Sequence, residues 1–174
     1  MMMALCCWAT SGRAQEGGHP WLTAEPETVI PSDAGDIPVV AFEGLKPLLQ
    51  QEDGKVRVVN FWATWCAPCI KELPHFEALQ AELAEQGVEV TLVSLDFPSA
   101  WETRLPDFIR NKNLRSPVVV LNDPRQNDWI PQVAASWSGA IPATLIYSRD
   151  RREFYEQTFD GPELRAAVES FLSR

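Results

Sequence analysis

Cys66-Ala67-Pro68-Cys69 places two thiols three residues apart, and the chemistry open to such a pair is disulfide exchange. A thiolate, not a thiol, is the attacking species. On a helix, residues three apart share a face, so the two sulfurs can reach each other and close a bridge. Cys66 would attack a substrate disulfide to form a mixed disulfide. Cys69 would then attack that intermediate and release the reduced substrate. Residues 56–62, VRVVNFW, precede the pair and are β-branched and aromatic, the makeup of a buried strand. After it, Phe76, Leu79 and Leu83 recur with helical spacing up to Gly87. The pair therefore falls where a strand turns into a helix. Free N–H groups and the positive end of the helix dipole favour an anion there. Cys66 is expected at the cap and facing solvent, with Cys69 one turn inside. Pro68 falls in the first turn, where its missing N–H costs little.

Other readings of the same spacing carry less. A static bridge closing so short a loop would constrain the unfolded chain only slightly. Structural zinc needs a second ligand pair, and the two histidines, His19 and His75, are isolated in sequence, so no metal site is expected. Chance pairing stays open for the spacing alone, and the strand before and helix after argue against it.

The elements around the pair alternate. Strands are expected at 39–42, 56–62, 88–95 and 118–121, and a hairpin at 143–147 and 153–158. Helices are expected at 45–51, 67–86, 127–137 and from Pro162 to the end, with Pro74 kinking the second. Ser99 and Glu102 have capping-box spacing, predicting a further helix toward Asn113 that Pro106 bends. Such alternation predicts an α/β fold of three layers, with parallel strands and an antiparallel C-terminal hairpin.

Asn60-Phe61-Trp62-Ala63-Thr64-Trp65-Cys66-Ala67-Pro68-Cys69, followed by Lys71-Glu72-Leu73-Pro74, resembles the active-site segment of thioredoxin-like proteins. In particular it is similar to the TlpA/ResA group of exported thiol–disulfide oxidoreductases. Gly139-Ala140-Ile141-Pro142-Ala143-Thr144 resembles that family's cis-proline loop. The resemblance spans about residues 38–172. It implies a thioredoxin fold with a central mixed sheet, and a cis Ile141–Pro142 peptide packed beside the sulfurs. It also implies substrate pairing along the Ile141 backbone, next to Trp65, Ala67 and Pro68. Glu72 would be the carboxyl that handles the protons of the thiol pair. Asn60 stands where thioredoxin itself carries a buried aspartate. An amide cannot ionise, so that duty would pass to Glu72 or water. Trp65 is read as an apolar docking rim beside the exposed sulfur and Trp62 as core. Trp129 and Trp137 are read as packing between helix and sheet.

Composition sets outer bounds. The chain has 174 residues, 45% of them apolar and 22% charged, as in ordinary globular proteins. Its 15 Lys and Arg against 24 Asp and Glu give a net charge of −9 and no basic footprint for nucleic acid. No apolar run reaches the length of a membrane span. Residues 1–14 have the apolar and small-residue character of a secretory signal without its basic start, or of a lipid-anchored leader acylated at Cys6 or Cys7. Residues 15–37, rich in Gly, Pro and acids, read as a flexible lead-in, leaving 38–174 as the domain. The expectation is an exported, monomeric protein-disulfide reductase whose redox group is its own cysteine pair, with no other cofactor. By the resemblance to the TlpA/ResA group, its clients would be disulfides of envelope proteins such as apo-cytochromes c, and a membrane thiol carrier would supply electrons. Peroxide reduction on a peroxiredoxin-like variant is a rival. That chemistry wants a threonine three residues before the sulfur, where Ala63 stands. A copper chaperone on the same fold is another rival, and His75 is the one imidazole near the thiols in sequence.

Overall fold

A computed structural model describes residues 19–172. The proposed leader at 1–14 lies outside them. Seven strands form one sheet: β1 (Thr28–Ile30), β2 (Ile37–Val40), β3 (Val56–Trp62), β4 (Val88–Ser94), β5 (Val118–Leu121), β6 (Ala143–Tyr147) and β7 (Arg152–Tyr155). Their order across the sheet is β1-β2-β5-β4-β3-β6-β7. Strands β2, β5, β4 and β3 run parallel, and β1, β6 and β7 pair antiparallel at the two edges. The helices are α1 (Phe42–Leu45), α2 (Ala67–Leu83), α3 (Arg104–Lys112), α4 (Gln126–Val133) and α5 (Gly161–Leu172).

Alternation along β3 builds two cores. Val56, Val58 and Trp62 point to one face of the sheet, where they meet Leu73, Phe76 and Leu79 of α2, Leu105 of α3 and Leu164 of α5. Val59 and Phe61 point to the other, against Phe42 and Leu45 of α1 and Trp129 and Val133 of α4. This is the three-layer α/β arrangement the sequence predicts, because a strand buried on both faces needs apolar residues at every position except where a polar partner is built in. Asn60 and Arg57 are the exceptions: Asn60 meets Glu72 and Thr144, and Arg57 pairs with Asp53 and Glu89. Trp62, Trp129 and Trp137 are all buried, as expected.

Several boundaries differ. Residues 39–42 do not form a strand to Phe42; β2 spans Ile37–Val40, and Phe42 opens α1, continued by a 3₁₀ turn at Lys46–Gln50. The Ser99/Glu102 capping box does not form. Pro98–Ala100 is a 3₁₀ turn and α3 starts at Arg104. A helix opening near residue 100 would put Pro106 in its interior. Starting at Arg104 leaves that proline in the first turn, where no N–H is needed. α4 stops at Val133, short of the expected 137, as Ala134 turns to an extended backbone. The lead-in is not featureless either. Thr28–Ile30 adds a strand to β2, and Trp21 is buried against the second core. Three-residue strands carry too little periodicity to show in sequence.

Candidate functional site

The site lies at the carboxyl ends of β3 and β4. Trp62 ends β3, the chain turns through Ala63-Thr64-Trp65, and Cys66 becomes the N-cap of α2 in extended conformation. The Cys66 N–H donates to the Ala63 carbonyl at 3.1 Å, closing that turn. Cys69 sits one turn in, and its backbone N–H donates to Cys66 Sγ at 3.3 Å. That contact is a cap hydrogen bond with sulfur in place of oxygen, and it favours negative charge on Cys66. The two cysteines form a disulfide with their Cα atoms 5.3 Å apart.

Antiparallel pairing of β3 with β6 sets Ala143 opposite Phe61, so the residues before Ala143 pass the end of β3, where the disulfide is. The Ile141–Pro142 peptide there is cis. Pro142 is buried, Ile141 is half-buried, and the Ile141 carbonyl oxygen lies 3.8 Å from Cys66 Sγ. In the disulfide that sulfur has no proton to donate, so this is a packing contact. The expectation of a solvent-facing Cys66 needs correction: only 5% of its surface is exposed, and Cys69 has none. The bridge itself and the proline loop cover the sulfur. Ala67, Pro68 and Trp65 are exposed around it.

Glu72 is fully buried. Its Oε1 accepts from Asn60 Nδ2 at 2.9 Å and its Oε2 from the Phe159 N–H at 2.9 Å. The same Asn60 amide reaches Thr144 Oγ1 at 3.1 Å. Burial pushes the Glu72 carboxyl above the usual carboxylate range, and the Phe159 N–H and Asn60 amide oppose the shift. Glu72 is therefore no solvated helix glutamate; it is held in the core on α2, one turn beyond Cys69.

Sequence reading missed a second buried acid. The Asp96 carboxylate takes the Thr64 N–H at 3.0 and 3.2 Å, the Thr64 hydroxyl at 2.5 Å and the Ser94 hydroxyl at 2.9 Å. It ties the turn that leads to Cys66 onto the end of β4. An acid just past an apolar strand is ordinary at a strand exit, so nothing in the sequence marked it. Phe97 was missed as well. It is exposed and stacks on Trp65.

The AhpC/TSA family model matches residues 39–152, from β2 into β7. The chain belongs to the AhpC/TSA family. Among its curated relatives is the thiol-disulfide oxidoreductase ResA of Bacillus thuringiensis, 25% identical over the whole chain and 92% of that protein. ResA of Oceanobacillus iheyensis is 44% identical over 40% of this chain and 35% of its own length. Among solved structures, a thioredoxin-related protein of Neisseria meningitidis superposes with a TM-score of 0.61 at 23% identity, covering 72% of this chain and 91% of that one. A secreted thiol-disulfide isomerase of Corynebacterium glutamicum gives 0.58 at 18%, covering 70% and 72%. These neighbours establish the thioredoxin fold. With the bridged pair at the helix N-terminus, the chain is a thiol–disulfide oxidoreductase.

Proposed function

We propose that the protein is an exported, monomeric reductant of disulfides in envelope proteins, apo-cytochromes c among them, recharged by a membrane thiol carrier. The observation that carries this reading is the Cys66–Cys69 bridge at the mouth of α2 with the cis Ile141–Pro142 loop against it. The reduced pair starts the cycle. Cys66 thiolate, held by the Cys69 N–H and the helix dipole, bonds to one client sulfur and expels the other as a thiolate. Cys69 then gives up its proton and attacks Cys66 Sγ, releasing the second client thiolate. Two electrons pass to the client and the bridge seen here forms. A donor dithiol returns those electrons, and no cofactor other than the cysteine pair takes part. Glu72, buried with a raised pKa, is the group suited to take the Cys69 proton or deliver it. Pro142 has no N–H to occupy the space beside the sulfur, and the Ile141 backbone offers an edge for an extended client segment. The export reading draws on the leader-like residues 1–14 and on the secreted isomerase among the structural neighbours.

The test is trapping. Cys69→Ser should strand clients on Cys66 as mixed disulfides that dithiothreitol releases, and Cys66→Ser should strand none. Purified reduced protein should reduce insulin disulfides, with turnover of hydrogen peroxide remaining at the level of a free dithiol. Absence of adducts on Cys66 with rapid peroxide turnover would replace this reading by peroxide reduction.

A further inference from the structure

We infer that the stacked rings of Trp65 and Phe97 are a recognition platform for client polypeptides that carry an aromatic side chain next to the reacting cysteine. The inference rests on Cys66 as the attacking sulfur. Among the described residues the large exposed apolar side chains are Val29, at 44%, Trp65, at 49%, and Phe97, at 65%. A lone one such as Val29, on the outer strand β1, needs no explanation. Two together at a reaction centre do. The rings of Trp65 and Phe97 lie 6.2 Å apart and nearly parallel, at 16°.

Their placement is built into the fold. Thr64, just before Trp65, is bound through its N–H and hydroxyl to Asp96, just before Phe97. The Trp101 indole N–H donates to the Asp96 carbonyl at 2.9 Å, and Arg104 Nη2 donates to the Thr64 carbonyl at 3.3 Å. Both rings thus stand on backbones clasped to one another. A pre-positioned aromatic surface orders few rotors on binding, which favours affinity.

The occupant follows from the sulfur's surroundings. Cys66 is almost covered, so a client sulfur has to be delivered on a segment that fits between the Ile141 backbone and the Trp65 ring. The residue beside the client cysteine, one 3.8 Å step along the chain, then falls within reach of the platform. An aromatic side chain gains ring contact there. A carboxylate would lose water without gaining a partner.

The experiment uses two synthetic peptides with one internal disulfide, identical except for Phe or Ser next to the attacked cysteine. The reduced full-length protein should show a kcat/KM about tenfold higher for the Phe peptide. Phe97→Ser should bring that ratio close to one, and Val29→Ser should leave it unchanged. Equal rates for the two peptides with the wild-type protein, or a preference that survives Phe97→Ser, would overturn the platform while leaving the redox reading intact. Failure to reduce either peptide would overturn both. Near-ultraviolet circular dichroism of Phe97→Ser, matching wild type outside the Trp65 bands, shows that a changed ratio comes from the lost ring and not from unfolding.

Discussion

Glu72 has no contact with solvent, yet both of its oxygens face donors, the Asn60 amide and the Phe159 N–H. Burial raises its pKa and these two bonds limit the rise. A carboxyl whose folded pKa is raised holds its proton more firmly in the native state than in the unfolded chain. Its stabilising contribution is therefore complete below the ordinary carboxylate pKa and fades as pH climbs through the raised value. Glu72→Gln cannot titrate, so wild type should gain stability relative to this variant as pH falls through that window. Urea midpoints measured at several pH values check this, and a wild type that gained stability relative to Glu72→Gln as pH rises would contradict it. The same variant should slow client reduction about 100-fold and lose one limb of the pH–rate profile. Asn60→Asp makes the sharper test of the local electrostatics. It puts a second carboxyl within hydrogen-bond distance of the first, where both cannot ionise at once. At pH 7 we expect about 3 kcal/mol of destabilisation, largely recovered on acidification, read from thermal melts across pH. The cysteine pair, the cis proline and the buried position of Asn60 were legible because each sits in a motif. The hold of Phe159 on Glu72 was not, since it acts through a backbone N–H that any residue would supply.

Element positions were legible wherever the residues had a single way to be satisfied. Val56–Trp62, Val118–Leu121 and Ala143–Tyr147 match their expected spans because short segments dominated by β-branched and aromatic residues are best satisfied in a sheet interior. Helix starts were less legible: side-chain caps are optional, and α3 opens at Thr103 with no side-chain cap bond at all. The turn between β3 and α2 depends on a contact distant in sequence. Asp96 holds it from β4, thirty-two residues on from Thr64. Asp96→Ala leaves the buried Thr64 N–H and hydroxyl with no acceptor, and we expect a loss of about 2–3 kcal/mol in chemical denaturation. Reduction by dithiothreitol should also quicken as the turn over Cys66 loosens. Asp96→Asn keeps one oxygen for the Thr64 N–H and should restore most of both properties. If Asp96→Ala melts like wild type, the clasp is not what fixes this turn. At the far end of α2, Gly87 closes the following 3₁₀ turn at φ +85° with no neighbour crowding a Cβ. Gly87→Ala should thus cost only the left-handed backbone penalty, about 1 kcal/mol, with the exchange rate unchanged.

Over the whole molecule, the sheet separates chemistry from its outermost support. The redox pair follows β3, which has β6 and β7 on one side, whereas β1 is the outermost strand on the other, with β2, β5 and β4 between them. Yet the segment before β2 is part of the fold, because Trp21 fills the second core beside Leu48, Leu49 and Trp129. Trp21→Ala should lower stability by about 3–5 kcal/mol, while the exchange rate per folded molecule, measured well below the melting temperature, stays at the wild-type value. Deleting residues through 31 goes further, since it also strips the β1 pairing from β2 and leaves the row Ile37–Val40 as a free edge. An apolar, unprotected edge strand recruits other edges, and the net charge of −7 that remains once Arg13, Glu16, Glu25 and Glu27 are removed opposes that association only at low ionic strength. Light scattering of the truncated protein should thus rise with added salt, and the full chain should stay clear under the same conditions. If the truncated protein stayed clear and kept its melting temperature, residues 19–31 would be a tether laid on the domain and the sheet would effectively begin at β2.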